Sequence, residues 1–331
     1  MMRSTLILFT ALLLNCCAGP RQSAIDSAGP PADGIERLWW VFFWLLFGIF
    51  VIVMAFLAGS LSRRSAGAPA PPERDIRLGR TVAGASIVTV LILFVLILVS
   101  VRVGQSTSVP KTRPAMTIEV MGNQWWWYVR YTNDVANRIA VTANEIHIPV
   151  GKAVMIRGTS NDVIHSFWAP NLQGKRDLIP SRVTINWIQA DRPGAFRGQC
   201  AEFCGLQHAH MAFWVVAQTE HDFEQWFNTQ LAPAANPTTP ITQRGQEVFL
   251  NNACRICHNI SGTPAAGQVG PDLTHVGSRL SLAAGTLPNN VGSLTGWIAD
   301  PQTIKPGNHM ATVPISSDDL QAVAEYLESL K

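Results

Sequence analysis

The sequence has little charge for its length. Only 14% of its 331 residues are charged, 25 basic and 22 acidic, whereas a typical soluble domain carries about 25%. Hydrophobic residues reach 47%, which excludes a disordered chain and argues against a freely soluble one. The net charge of +3 is too small to indicate nucleic acid as a partner.

Cysteine is also scarce, and its placement is informative. The six cysteines form three close pairs: Cys16 with Cys17, Cys200 with Cys204, and Cys254 with Cys257. Six cysteines in 331 residues are too few for a disulfide-stapled scaffold. A few closely spaced pairs are instead about right for two cofactor sites.

The N-terminus predicts export. An apolar run follows Arg3 and ends in small residues, so we expect a signal peptide over residues 1–20. Cys16 or Cys17 could be a lipid attachment site within it, or both could be incidental.

Two further uncharged runs predict membrane spans at about residues 38–61 and 81–101. Each exceeds or matches the ~20 residues that a helix needs to cross the ~30 Å hydrocarbon layer. We therefore expect a transmembrane helical hairpin over residues 36–102. Its connector holds five arginines against two acids, which places the connector on the cytoplasmic side and everything after the hairpin outside.

The exported part divides into two domains. Residues 115–220 contain short alternating segments separated by turn residues, which predict an all-β Greek-key sandwich. The segments are MTIEVMG, WWWYVRY, NEIHIPV, AVMIRGT, RVTINWIQA and MAFWVVAQ. We expect one linker before the sandwich, over residues 103–115. A second linker, rich in Pro, Ala and Thr, is expected after it, over residues 232–240. Residues 241–331 have helical patterns at both ends and loops between, typical of a small all-α domain built around a cofactor.

The segment CAEFCGLQHAHM concentrates soft metal ligands. It supplies Cys200, Cys204, His208 and Met211, and His165 in an earlier strand is the candidate for a second imidazole. Two bridging thiolates with one histidine and one weak ligand for each ion fit a dinuclear copper centre. Zinc would leave Met211 without a purpose, and the remaining alternative is a Cys200–Cys204 disulfide.

The motif Cys254-Arg-Ile-Cys257-His258 is the c-type haem attachment signature. Two thiols at this spacing bond one porphyrin covalently, and the following histidine binds its iron. Met310, in a Pro/Gly-rich segment 52 residues after His258, is the expected sixth ligand, with His309 as its competitor.

These motifs together resemble a known family. The hairpin, GNQWWWYVRY, DVIHSFWAP and CAEFCGLQHAHM are similar to subunit II of the haem-copper cytochrome c oxidases. The CRICH segment with GPDLTHVGSR and IADPQTIKPGNHM resembles the cytochrome c domain fused to that subunit in caa-type oxidases. The chain departs from the family at Asn123, where histidine is usual, and lacks the usual glutamate at the start of the second span.

The resemblance implies a fold and a set of site residues. It implies a multi-domain membrane protein with a two-helix hairpin, a cupredoxin-like sandwich and a cytochrome c domain. The implied copper ligands are His165, Cys200, the Glu202 carbonyl, Cys204, His208 and Met211. The Glu202 side chain would reach a magnesium ion at the subunit I interface, and Trp125 would lie on the exposed face where electrons arrive. Pro271 would support His258.

The implied function is the electron-input subunit of a terminal cytochrome c oxidase. Electrons would pass from the c-type haem to the copper pair and on to subunit I, where oxygen is reduced to water with proton translocation. The implied partners are subunits I and III and a donor such as a cytochrome c or a quinol–cytochrome c reductase. The implied location is the bacterial plasma membrane, with the copper and haem domains on the extracytoplasmic side. A copper-containing nitric oxide reductase and a membrane-tethered copper or redox carrier remain as alternatives.

Overall fold

A computed structural model describes residues 22–62, 72–110, 112–132 and 138–331. The predicted signal peptide with Cys16 and Cys17, and Arg63 and Arg64 of the connector, lie outside the described residues. The described residues form two compact units, one within residues 33–109 and the other made by residues 22–32 together with residues 110–331.

The first unit consists of two helices, α1 (Pro30–Ser62) and α2 (Pro72–Ser108). Both are long and apolar enough to cross a membrane. Most of their apolar side chains are exposed in this chain, as expected of a surface that faces lipid. Both helices extend beyond the apolar runs. The linker expected from residue 103 is therefore helical as far as Ser108, shortly before Pro110, because proline disfavours helical geometry in the residue that precedes it.

The chain leaves the second unit through α1 and returns to it through α2. Residues before α1 are hydrogen-bonded to the β-sandwich: Ala28 N–H donates to the Asn171 carbonyl at 2.7 Å, and Asp191 N–H donates to the Ala28 carbonyl at 2.7 Å. The residues just before α1 therefore belong to the same unit as the β-sandwich.

The β-sandwich spans residues 116–218. Its strands are β1 (Met116–Asn123), β2 (Trp126–Thr132), β3 (Ala140–Ala143), β4 (Glu145–Pro149), β5 (Val154–Ser160), β6 (His165–Trp168), β7 (Arg176–Leu178), β8 (Thr184–Ile188), β9 (Gly194–Cys200) and β10 (Ala212–Gln218). They form two five-stranded sheets, in the orders β3-β2-β1-β5-β8 and β4-β10-β9-β6-β7. The six predicted segments correspond to β1, β2, β4, β5, β8 and β10. The other four strands are either too short to show alternation or, in β9, interrupted by glycines, which have low strand propensity.

The two sheets enclose an aromatic core. Trp127, Phe167 and Phe213 are almost fully buried, and the rings of Phe167 and Phe213 stack with centroids 4.5 Å apart. The helix α3 (Glu220–Leu231) covers one end of this core with Phe223 and Phe227. The core holds the strands that flank the cysteine loop in a fixed register.

The C-terminal helical domain spans residues 240–331. It contains α4 (Pro240–Asn251), α5 (Cys254–Cys257), α6 (Val291–Ala299), α7 (Pro301–Ile304) and α8 (Ser317–Ser329), with a small ladder of β11 (Ser281–Leu282) and β12 (Leu287–Pro288). Thr239 caps α4 and Pro240 occupies its first turn, which ends the linker preceding this domain. The first and last helices pack together through Phe249 and Tyr326, whose ring centroids are 6.3 Å apart.

Candidate metal and haem sites

The second sheet brings the candidate metal ligands together. Strand β9 ends at Cys200, β10 begins at Ala212, and residues 200–211 between them form the ligand loop. Strand β6 pairs with β9 so that Phe167 faces Cys200, which places His165 beside the first cysteine. Sheet pairing thus supplies the ligand that lies 35 residues away in sequence.

All six predicted donors converge. The Cys200 and Cys204 sulfurs are 3.8 Å apart, so they are not joined as a disulfide. Cys200 Sγ lies 3.8 Å from His165 Nδ1 and 3.2 Å from the Glu202 carbonyl oxygen. Cys204 Sγ lies 3.6 Å from His208 Nδ1 and 3.8 Å from Met211 Sδ. The donor set is two thiols, two imidazoles, one thioether and one carbonyl.

The His165 ring is held in one orientation. Its Nε2 lies 2.7 Å from Asp162 Oδ1, and because a carboxylate only accepts, Nε2 carries the proton. The other ring nitrogen, Nδ1, faces Cys200 and has the lone pair whenever the ring is neutral. Burial would lower the pKa of His165, but hydrogen bonds with Cys200 and Asp162 outweigh it and raise the pKa.

The two thiols share one hydrogen bond, and it separates their acidities. The bond with Cys204 lowers the pKa of Cys200 to about 4, despite the opposing effect of burial. The same bond, together with burial, raises the pKa of Cys204. The pair therefore holds one proton and one negative charge near neutral pH, and a thiolate is the form that binds metal.

The Glu202 side chain points away from this cluster. Its Oε2 lies 3.2 Å from Lys175 Nζ, and both side chains are about half exposed. Its predicted contact with magnesium stays a prediction.

The exposed position expected for Trp125 is wrong. Trp125 is 7% exposed, and its indole N–H donates to the Cys204 carbonyl at 2.9 Å. Its own carbonyl accepts a hydrogen bond from Lys305 of the C-terminal helical domain at 2.9 Å. His309 lies close by, with ring centroids 6.3 Å apart. The sequence pattern could not show that the fused domain covers this tryptophan.

The haem attachment motif occupies a single helical turn. Cys254 and Cys257 begin and end α5, and both are partly exposed free thiols. His258 follows, and its Nδ1 donates to the Pro271 carbonyl at 2.7 Å, as predicted for Pro271. Burial lowers the pKa of His258, so the ring is neutral and its Nε2 has the lone pair that iron would bind. Met310 is partly buried against the apolar core of this domain.

Two residues at these sites were missed by the sequence analysis. Asp162 lies three residues before His165 and could have been found, because metal-binding histidines commonly donate their other ring nitrogen to a carboxylate. Lys305 gave no such signal, because its partners include a carbonyl 180 residues away.

Comparisons with known proteins cover both exported domains. A family model described as cytochrome c oxidase subunit II, periplasmic domain, matches residues 132–218, and one described as cytochrome c matches residues 242–331. Cytochrome c oxidase subunit 2 of Alkalihalophilus pseudofirmus is 34% identical over 334 residues, covering 98% of this chain and 95% of the relative. The protein of that name from Bacillus subtilis is 25% identical, covering 98% and 96%. A crystal structure of the periplasmic domain of subunit II of cytochrome oxidase from Bradyrhizobium japonicum is 30% identical, with a TM-score of 0.34, and covers 36% of this chain and 95% of that one.

The two helices, the β-sandwich and the C-terminal helical domain follow the order expected from the resemblance. A full-length relative at 34% identity, together with both family models, confirms that expectation. The chain belongs to the cytochrome c oxidase subunit II family and is a membrane-anchored subunit of a terminal oxidase that carries its own cytochrome c domain.

Proposed function

We propose that this chain is the electron-input subunit of its oxidase, passing electrons from a c-type haem through a dinuclear copper centre to subunit I. Oxygen is reduced to water in subunit I, with coupled proton translocation. The observation that carries the proposal is the convergence of five donors from the ligand loop with His165 of β6, next to a domain with a haem attachment motif.

The residues present fit a copper pair. The two cysteine sulfurs lie 3.8 Å apart. Together with His165, the Glu202 carbonyl, His208 and Met211 they would hold the copper ions. His165, Cys200, Cys204 and Met211 are each at most 2% exposed, whereas His208 is partly exposed. Buried thiolate, imidazole and thioether ligands suit copper that cycles between two oxidation states.

The residues present also fit a haem. Cys254 and Cys257 would bond it covalently, and His258 and Met310 would bind its iron. Arg279 is buried, and its Nε has no hydrogen-bond partner among the residues that the structure describes, so it is available to an acidic substituent of a porphyrin. His258 is fixed through Pro271, and this hydrogen bond keeps its Nε2 unprotonated.

Copper and haem supply one-electron redox chemistry when bound. The protein contributes the fixed geometry around them. Asp162 orients His165, the ligand loop is clamped between two paired strands, and the buried sandwich core resists movement between oxidation states. The smaller the movement of the ligands, the less the surroundings must reorganise when an electron arrives.

The same proposal covers partners and location. Subunit I and subunit III would assemble with α1 and α2 in a bacterial plasma membrane, with both metal-binding domains outside. A magnesium ion at the Glu202 side chain would lie at the boundary with subunit I. A cytochrome c or a quinol–cytochrome c reductase would reduce the C-terminal helical domain.

Metal analysis of the purified full chain, with optical and paramagnetic resonance spectra, tests the proposal. We expect two coppers per covalent haem, with the unpaired electron shared between both coppers. The chain alone should be redox-active without consuming oxygen, and the complex with subunit I should consume it. A mononuclear copper signal, or oxygen consumption by the chain alone, would contradict the proposal. Nitric oxide turnover without oxygen turnover by the complex would instead assign it to a nitric oxide reductase.

A further inference from the structure

Two loops meet where the β-sandwich contacts the C-terminal helical domain. One is the ligand loop, residues 200–211. The other comprises residues 305–310, which end at the candidate haem ligand, and we call it the Met310 loop. Gly307 of the Met310 loop lies against Leu206 and Trp125. The loop that carries the candidate haem ligand Met310 therefore lies directly against the loop that carries most of the candidate copper ligands.

Lys305 is the centre of this contact. It is only 3% exposed, and its Nζ donates to three backbone carbonyls, those of Trp125 at 2.9 Å, His210 at 2.8 Å and Ala283 at 3.1 Å. Three acceptors match the three N–H donors of an ammonium group. Burial opposes the charge and lowers the pKa of Lys305 to about 7, and acceptors of this kind are what a buried ammonium requires.

The acceptors belong to different domains. Trp125 and His210 are in the β-sandwich, whereas Ala283 and Lys305 itself are in the C-terminal helical domain. His210 also precedes Met211, a candidate copper ligand, and Lys305 precedes Met310 by five residues. One side chain therefore connects the two ligand-bearing loops.

Three further contacts fix the orientation of the domains. Gln207 Nε2 donates to the Pro306 carbonyl at 2.8 Å. Ala212 N–H donates to the Ala284 carbonyl at 2.9 Å. Leu280 N–H donates to the buried Glu145 carboxylate at 2.7 Å. Because these hydrogen bonds lie at separate points of one surface, the C-terminal helical domain cannot rotate about any one of them. Lys305 therefore adds to a contact whose orientation is already defined.

We propose that Lys305 is a positioning residue that holds the C-terminal helical domain in one docked orientation on the ligand loop. The inference rests on the proposed electron-input function. It implies that the electron passes from the haem to the copper centre within a preformed contact that covers Trp125. The C-terminal helical domain would then not move as a flexibly tethered carrier that reaches the copper centre by diffusion. A flexible tether alone would give only a high effective concentration of the donor.

The experiment compares Lys305→Met, Lys305→Arg and Lys152→Met in the full chain. Methionine keeps most of the side-chain volume and removes the charge. Arginine keeps the charge but cannot direct three N–H groups from one nitrogen to three carbonyls. Lys152 is a matched control, since its side chain is half exposed and pairs with Glu220 at 3.5 Å, away from the Met310 loop.

Two measurements are made on each variant. Hydrogen exchange before copper loading reports the protection of backbone amides 124–127, 206–212 and 283–286. Photochemical injection of an electron at the haem of the copper-loaded chain reports the rate at which it reaches the copper centre.

For Lys305→Met we expect about tenfold less protection on both faces of the contact, the loss typical of a buried charged hydrogen bond. Electron transfer should slow, while copper and haem spectra stay as in the wild type. Lys305→Arg should be intermediate, and Lys152→Met should match the wild type.

Wild-type protection and rate in Lys305→Met would overturn the proposal, as would an equal loss in Lys152→Met. If Lys305→Met does not fold, wild-type protection in Lys305→Arg would overturn it. Hydrogen exchange before copper loading does not depend on the copper centre. Failure of the proposed function would therefore leave the loss of protection intact, and the two failures are distinguishable.

Discussion

Adding one methyl group at Gly122 should displace a candidate copper ligand. Gly122 of β1 pairs with Ser160 of β5. A Cβ at position 122 would lie 2.6 Å from His165 Cδ2 and 2.8 Å from Cγ. Ordinary van der Waals contact begins at 3.4 Å, so the Gly122→Ala change requires a relative shift of 3.4 − 2.6 = 0.8 Å. Asp162 holds the ring through Nε2, and His165 is completely buried, so the ring has little freedom to move.

The expected cost follows from that geometry. Inserting a methyl group into a well-packed site costs about 1–3 kcal/mol of unfolding free energy. A shift of 0.8 Å, the difference between the 3.4 Å and 2.6 Å contacts, also exceeds the tolerance of roughly 0.5 Å within which a ligand set functions. We expect copper affinity to fall by about 10- to 100-fold, the loss seen when a ligand's supporting contacts are changed.

Copper content, paramagnetic resonance spectra and urea denaturation of the full chain measure these effects. Gly296→Ala in α6 is the control, because a Cβ there meets nothing within 4 Å. It should leave the copper signal unchanged and raise stability by about 0.5–1 kcal/mol through the higher helix propensity of alanine. A Gly122→Ala chain with two coppers, an unchanged spectrum and wild-type stability would refute the packing account of the His165 orientation.

Three further predictions concern the same two sites. Gly270→Ala would place a Cβ 2.6 Å from Cε1 of His258, so the haem absorbance and potential should change while the copper signal does not; the reverse pattern would count against it. Asp162→Asn removes the carboxylate that accepts from His165, so chelator competition should show about 10- to 100-fold weaker copper binding, and equal affinity would contradict this role. The pKa of Cys200 in the folded metal-free chain is lowered to about 4. Its stabilising effect is therefore fully present above its unfolded value and is lost as the pH falls through about 4. The stability advantage of the wild type over Cys200→Ser in urea should shrink between pH 7 and pH 4, whereas a constant difference would show that the thiolate is not stabilised by folding.

The sequence alone determined the features that depend on short-range pattern. The uninterrupted apolar runs are long enough to cross a membrane, and their length and lack of charge can be read directly from the sequence. The ligand types of the cysteine loop and of the CxxCH motif lie within a few residues of one another, so their chemistry can be interpreted without a fold. Strands with clear alternation, such as β2 and β5, were predictable for the same reason.

Only the tertiary structure decided how those pieces face each other. The orientation of His165 depends on Asp162 and on the pairing of β6 with β9, and short strands such as β6 and β7 are stabilised by their neighbours in the sheet more than by their own sequence. The burial of Trp125 and the three acceptors of Lys305 depend on contacts across up to 180 residues. Such contacts follow from sheet register and domain packing, which local propensity does not encode.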